Sequence, residues 1–187
     1  MKKISSLTTP QNILAICKIP SENSVVPDLH KELVLVLDDI KDPGNMGTII
    51  RIADWFGINY IFCTQECVDA YNPKVVQASM GSISRVHIDY RHLRNVLQDS
   101  IDKQIPVYGA ALEGANVLKE QLTPNGVIII GNESTGISDE LQRYITKSVK
   151  IPSFHLAGKT KGAESLNAAV AAAILCAEFR RAELKGE

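Results

Sequence analysis

The 187-residue chain is 45% hydrophobic and 22% charged, with a formal net charge of -1. That is the profile of an ordinary globular protein long enough to bury one full core. No stretch reaches the roughly 18 uninterrupted apolar residues of a membrane span. The start, MKKISSLTTPQN, has no apolar run behind its two lysines, so a cytoplasmic address without membrane association is expected. The charge balance also lacks the basic excess of an electrostatic nucleic-acid binder. A local patch would need the fold to gather Arg85, Arg91, Arg94, Lys159, Lys161, Arg180 and Arg181.

Residues 1–31, with Pro10, Pro20 and Pro27, read as an extended arm or linker before a domain over residues 32–187. Leu33 to Leu37 (LVLVL) is a continuous apolar run ending at Asp38-Asp39, the pattern of a parallel strand buried on both faces. After the turn Asp42-Pro43-Gly44-Asn45, the residues Ile49, Ile50, Ala53 and Phe56 recur at helical spacing, and Gly57 ends the helix. Tyr60 to Cys63 is the next strand. Asn72-Pro73 opens a helix through about Met80, with Asn72 as cap. Val86 to Ile88 reads as a short strand, His92 to Lys103 as an amphipathic helix, and Val107 to Leu112 and Val127 to Ile130 as strands. Ser138 caps a short helix, Val149 to Ile151 is the last strand, and Ser165 to Leu184 the last helix. Strands alternating with helices predict an α/β fold with a parallel sheet.

Cys63-x-x-x-Cys67 has the spacing of half a zinc site, but no second pair follows. The four cysteines, Cys17 and Cys176 included, read as buried reduced thiols.

Three constellations carry chemistry. In the first, Asn45-x-Gly47-x-x-x-Arg51, the glycines (Gly44 and Gly47) allow close backbone approach. Asn45 stands at a helix mouth whose free N–H groups suit an anion, or serves only as the cap, with Arg51 a surface cation. The second, Gly131-Asn132-Glu133-Ser134-Thr135-Gly136, follows an apolar strand directly. It is no phosphate-cradling P-loop, because no Lys-Ser or Lys-Thr follows its second glycine. The third is Ile151-Pro152, a long loop, and Ser165-Leu166-Asn167 before an alanine-rich helix. Ser165 reads as a capping residue, and Ala168, Ala169, Ala172 and their neighbours suit close packing on the sheet or on a partner subunit. Polar turns behind strand ends are where α/β sheets bind small ligands.

In this order the three constellations resemble the motifs of the SpoU (TrmH) family of the SPOUT superfamily of RNA methyltransferases, over about residues 32–184. The resemblance implies an S-adenosylmethionine-dependent methyltransferase acting on a ribose 2′-hydroxyl of ribosomal or transfer RNA. It implies a parallel sheet flanked by helices with a C-terminal deep trefoil knot, and a homodimer with its active site at the subunit interface. Arg51 would act on the ribose hydroxyl, with Asn45, Glu133, Ser165 and Asn167 orienting it, the phosphate and the ribose. Gly131, Asn132, Gly136, Ile151, Pro152 and Leu166 match donor-binding positions, and Ala110-Ala111-Leu112 would line the adenine pocket. No metal is implied. Two features depart from the family pattern: the loop from Pro152 to Ser165 is about half a dozen residues longer than usual, and Ser153 stands where many relatives have methionine. Many relatives also carry a separate RNA-binding domain ahead of the segment resembling SSLTTPQNILAI, almost where this chain starts. The chain is therefore expected to be either a fragment or a minimal enzyme, and its near-neutral charge fits a catalytic domain whose main RNA grip lies elsewhere. The alternatives are a knotted methyltransferase acting on a base nitrogen, and a non-catalytic RNA-binding or ribosome-assembly factor of the same fold.

Overall fold

The computed structural model describes residues 12, 16, 18, 19, 27–154 and 163–184. Most of the expected N-terminal arm, the greater part of the loop after Pro152, and Cys17, His155, Lys159 and Lys161 lie outside the described residues. Strand β1 (Leu33–Leu37) is buried at every position. Side chains alternate along a strand, so Leu33, Leu35 and Leu37 enter one core while Val34 and Val36 enter another. Two buried faces demand an apolar residue at each step, and that is why the run is uninterrupted.

β1 is flanked in parallel by β2 (Tyr60–Cys63) and β5 (Gly126–Ile130), with Leu37 opposite Cys63 on one side and Ile130 on the other. β3 (His87–Tyr90) lies outside β2; β4 (Val107–Asn116) and β6 (Lys147–Lys150) follow β5. The order of the six-stranded sheet is β3-β2-β1-β5-β4-β6, every pairing parallel. One face packs on α1 (Pro43–Trp55), α2 (Pro73–Ser79) and α5 (Ala168–Leu184), through Ile49, Val75, Ala172 and Phe179 among others. The other packs on α3 (Arg94–Asp102) and α4 (Asp139–Gln142), through Leu97 and Leu141. The expected α/β architecture is therefore present, and no helix among the described residues is long and apolar enough to cross a membrane.

Several boundaries differ from the sequence reading. α1 is capped by Asp42, whose carboxylate accepts from Asn45 N at 2.8 Å, with Pro43 in its first turn; Asn45 is therefore one turn inside and is not the cap. Gly47 does give close approach, but to a helix: a Cβ there would stand 2.6 Å from Val75 O and 2.5 Å from Ala78 Cβ. α5 begins at Ala168, because the Asn167 side chain accepts from the N–H groups of Ala169 and Val170 at 3.0 and 3.2 Å, so Asn167 and not Ser165 caps it. β6 starts two residues earlier than expected and has only Val149 buried, so apolar content understates it. β3 begins after Val86, and α3 is shorter than the amphipathic pattern. β4 runs on past Leu112, with its register against β6 jumping from Ala110 to Ala115. Residues 111–114 thus have no ladder partner.

Among the described residues, four of the candidate patch arginines have local partners of their own. Arg85 pairs with Asp54, Arg91 with Asp89 and Arg181 with Glu178. Arg180 donates to the carbonyls of Phe56 and Gly57 at 2.7 and 3.0 Å, satisfying the C-terminal end of α1. Cys63, Cys67 and Cys176 are free and buried. Burial pushes the Cys63 thiol well up and that of Cys176 up to about 12, so both stay protonated. Among the described residues no cluster of three potential metal ligands occurs.

Candidate functional site

The carboxyl ends of β4, β5 and β6 enclose a cavity of about 530 Å3. Of the residues singled out in the sequence, Ala110, Ala111, Leu112, Gly131, Asn132, Glu133, Gly136, Ile151, Ser165 and Leu166 all line it. Pro152, beside Ile151, does not, and neither do Asn45, Asn167 and Arg51. The sequence reading missed Ile137, Gln142, Ile145, Ser148 and Leu175, which also line the wall. Ser148 belongs to β6, so knowing that β6 lies beside β4 would have brought it in.

The turn after β5 is built by its own side chains. Asn132 and Gly136 exchange backbone hydrogen bonds at 3.0 and 2.9 Å, closing a tight loop. Asn132 Oδ1 accepts from Ser134 N at 2.8 Å and Thr135 N at 3.3 Å, and Asn132 Nδ2 donates to Asp39 O at 2.9 Å. Gly131 is fixed by contact: a Cβ would lie 2.3 Å from Gly136 C and 2.5 Å from Ile137 N, so any side chain forces the turn open. Glu133 is carried on this turn, facing the cavity.

Glu133 is also where the three sequence motifs meet. Its Oε1 accepts a short hydrogen bond from Asn45 Nδ2, and Asn45 Oδ1 accepts from Asn167 Nδ2 at 2.8 Å. These contacts bridge 88 and 122 residues of sequence. A carboxylate and two carboxamides in series hold one another's orientation and present fixed donors and acceptors at the cavity's edge. Arg51 stands apart: it is exposed on α1 and makes no ion pair or hydrogen bond with the described residues. Asn45 and Arg51 are six residues apart, which on an α-helix is about 120° of rotation and about 9 Å of rise, so they do not share a face.

The charge pattern restricts the ligand. Glu133 is the only formally charged residue lining the cavity, and no Lys, Arg or His does so among the described residues. A phosphate-rich ligand would be held poorly, whereas a neutral or zwitterionic one suits both the volume and the mixture of apolar walls with a few polar groups. Ala111 and Leu112, which have no partner in the strand register, add backbone to one wall.

Fold and site together define a parallel α/β protein with a small-ligand-sized cavity at the carboxyl edge of its sheet, beside an amide–carboxylate relay. Residues 32–177 match the SpoU rRNA Methylase family, and the chain belongs to that family. It is 33% identical over 178 residues to the 23S rRNA (guanosine(2553)-2′-O)-methyltransferase RlmP of Bacillus subtilis, covering 95% of this chain and 68% of that one. Among solved structures it is similar to a TrmH-family protein from Porphyromonas gingivalis, with TM-score 0.86 and 41% identity over 96% of this chain and 70% of the other. It is also similar to the SpoU methyltransferase AviRb from Streptomyces viridochromogenes in complex with AdoMet, with TM-score 0.72 and 28% identity over 83% of this chain and 62% of the other. The chain thus spans roughly two-thirds of the length of these relatives.

Proposed function

We propose that this protein is an S-adenosylmethionine-dependent methyltransferase that modifies a ribose 2′-hydroxyl of RNA. The observation that carries this reading is the cavity at the carboxyl edge of the sheet, with no cation among its described lining residues, joined through Glu133 to the Asn45–Asn167 relay at its edge. The methyl donor contains no phosphate, as that charge pattern requires, and the cavity falls in the usual range for small cofactors. Ala111 and Leu112, without partners in the strand register, offer backbone groups to its adenine, with Ile137, Ile145 and Leu175 as apolar wall. When bound, the donor supplies a methyl group on a sulfonium, a strong leaving group.

The protein's own task is then placement. Asn45, Glu133 and Asn167 hold the ribose so that its 2′-oxygen lies in line with the methyl group, and such orientation accounts for much of the gain over solution. Ser165, on the cavity wall, is close enough in sequence to Asn167 to share that task. Arg51 provides a cation for the phosphate and for the 2′-oxygen, whose proton passes to water as the O–methyl bond forms and the S–methyl bond breaks. A guanidinium has a pKa above about 12, so its role is electrostatic stabilisation and not general-base chemistry.

Arg51 reaches a ribose only if α1 lies against a second surface. Residues 51 and 55 are one helical turn apart and share a face, and Trp55 is 83% exposed. We therefore read the working form as a homodimer in which the partner covers Trp55 and the site lies at the interface. Half-exposed Val170 of α5 fits the same surface. In our reading the C-terminal segment is threaded as a trefoil knot. The return of the chain from edge strand β6 to the cavity at residues 165–166, and to α1 through α5, is consistent with this. Residues 32–187 would form the catalytic domain, with RNA gripped in part by elements beyond it. The names of RlmP and of the 23S rRNA (uridine(2479)-2′-O)-methyltransferase of S. viridochromogenes favour ribosomal over transfer RNA.

The test is labelling of total RNA, prepared from cells lacking the protein, with a radiolabelled donor, followed by mass-spectrometric mapping of the product. A ribose methyl at a defined nucleotide is expected. Label on a base nitrogen, or none, would overturn the reading.

A further inference from the structure

One buried charge has no part in the chemistry described above. Asp38, the residue after β1, is 3% exposed and is the only charged residue among the buried ones described. Among the described residues no cation pairs with it, and its Oδ2 accepts a single hydrogen bond, 2.7 Å from Ser138 N. An ionised carboxylate in that setting is unfavourable for folding. The following residue is strained as well: Asp39 has φ of 57°, a left-handed conformation that is uncommon outside glycine. Its carbonyl accepts from Asn132 Nδ2 at 2.9 Å.

The two adjacent aspartates thus grip both limbs of the loop that follows β5. Asp39 holds the entry limb through Asn132, and Asp38 holds the exit limb through Ser138. Glu133 lies on the loop between these two points. Asn132 in turn braces the loop from inside, through the N–H groups of Ser134 and Thr135. A loop fixed only at its ends by the chain would let a glutamate sample many rotamers, whereas one clamped on both limbs keeps it facing the relay.

We propose that Asp38, acting with Asn132, is a positioning residue for methyl transfer: the β1 end sets where Glu133 stands between the donor cavity and the Asn45–Asn167 pair. Neither side chain need touch a reacting atom. This inference rests on the methyltransferase reading and adds a role for the end of β1 that the family motifs do not assign.

Two substitutions break the clamp from opposite sides. Asn132→Asp keeps an acceptor for the Ser134 and Thr135 N–H groups but removes the donor to Asp39 O. Asp38→Ala strands the Ser138 N–H, and Asp38→Asn retains an oxygen for it. Each is assayed well below its own unfolding temperature, for kcat, for KM toward RNA, and for donor affinity by calorimetry. Hydrogen exchange of the 131–138 peptide is followed in parallel. Positioning predicts that kcat falls by about tenfold or more in Asn132→Asp and Asp38→Ala, with KM for RNA within about twofold of the parent. Exchange quickens in 131–138 but not in α1, and Asp38→Asn recovers most of kcat. Full kcat in folded Asn132→Asp or Asp38→Ala, or exchange in 131–138 as slow as in the parent, overturns the proposal. If Asp38→Ala does not fold, Asn132→Asp decides alone. A parent protein that neither binds donor nor methylates RNA refutes the proposed function and this inference with it. An active parent with unaffected variants refutes only the clamp.

Discussion

The two sides of the candidate site are built on opposite principles. On the side of β4, β5 and β6 a single chain supplies a closed set of walls, a turn braced by Asn132 and one carboxylate held by an amide. On the α1 side, Arg51 projects from an exposed helix face with Trp55 beside it and no partner among the described residues. The contrast separates two jobs. In the proposed reading, one chain is enough to hold the donor, whereas acting on the acceptor calls on the surface of a second.

The largest expected effect comes from Arg51→Ala, which tests that division directly. Transfer should fall by about 10²–10³-fold, the usual loss on removing one preorganised electrostatic group, while calorimetric donor affinity stays at the parent value. A parallel loss of donor affinity would show that the two sides are not separable. Gly131→Ala attacks the other side. Its Cβ would press on the backbone of Gly136 and Ile137, so donor affinity should drop by about tenfold or more, and transfer with it, in a protein whose far-ultraviolet dichroism is unchanged. Trp55→Glu is expected to shift the protein from dimer to monomer in light scattering and to lower transfer by roughly tenfold, leaving donor binding intact.

The smallest effect concerns neither job. Asp54, at the C-terminal end of α1, accepts hydrogen bonds from Arg85 and Ser82, and the Arg85 guanidinium first of all holds its carboxyl below the ordinary value of 3.8. A depressed carboxyl stabilises the fold fully above the unfolded value and loses that contribution as pH falls through the folded one. Arg85→Ala should therefore lower the thermal midpoint slightly at neutral pH, with the difference from the parent vanishing in acid below the folded value. Because Arg85 is largely exposed, solvent screening keeps the change small.

How much of this could be read from the sequence follows the same divide between local and distant contacts. Strands β1 and β5 are legible because burial on both faces leaves no room for a polar residue, and α2 because Asn72 and Pro73 form a local cap, Asn72 accepting from Lys74 N at 3.0 Å. Most of the cavity wall was legible through the motifs. Strand order was not: placing β4 between β5 and β6 depends on pairing across the sheet, and with it came Ser148 and the unpaired stretch 111–114. The caps of α1 and α5 were misassigned because Asp42, Asn45, Ser165 and Asn167 are all competent capping types. Only the geometry shows that Asp42 and Asn167 accept the N–H groups. Arg85, Arg91, Arg180 and Arg181 are satisfied by neighbours that composition cannot pair with them. Asp38 and Asp39 read as a polar strand end, and their grip on the loop 100 residues away appears only once β1 and β5 lie side by side.

The division of labour has one direct test, the mixing of two variants that are each impaired as homodimers. They are assayed at a donor concentration too low for Gly131→Ala to turn over. Arg51→Ala keeps a sound donor cavity, and Gly131→Ala keeps Arg51. If the cation is contributed across the interface, unfolding and refolding the two together should restore methyl transfer to about a quarter of the parent rate, since half of the dimers are mixed and each has one complete site. If the mixture stays as inactive as its components although mixed dimers have formed, Arg51 serves the cavity of its own chain and the two-sided account fails.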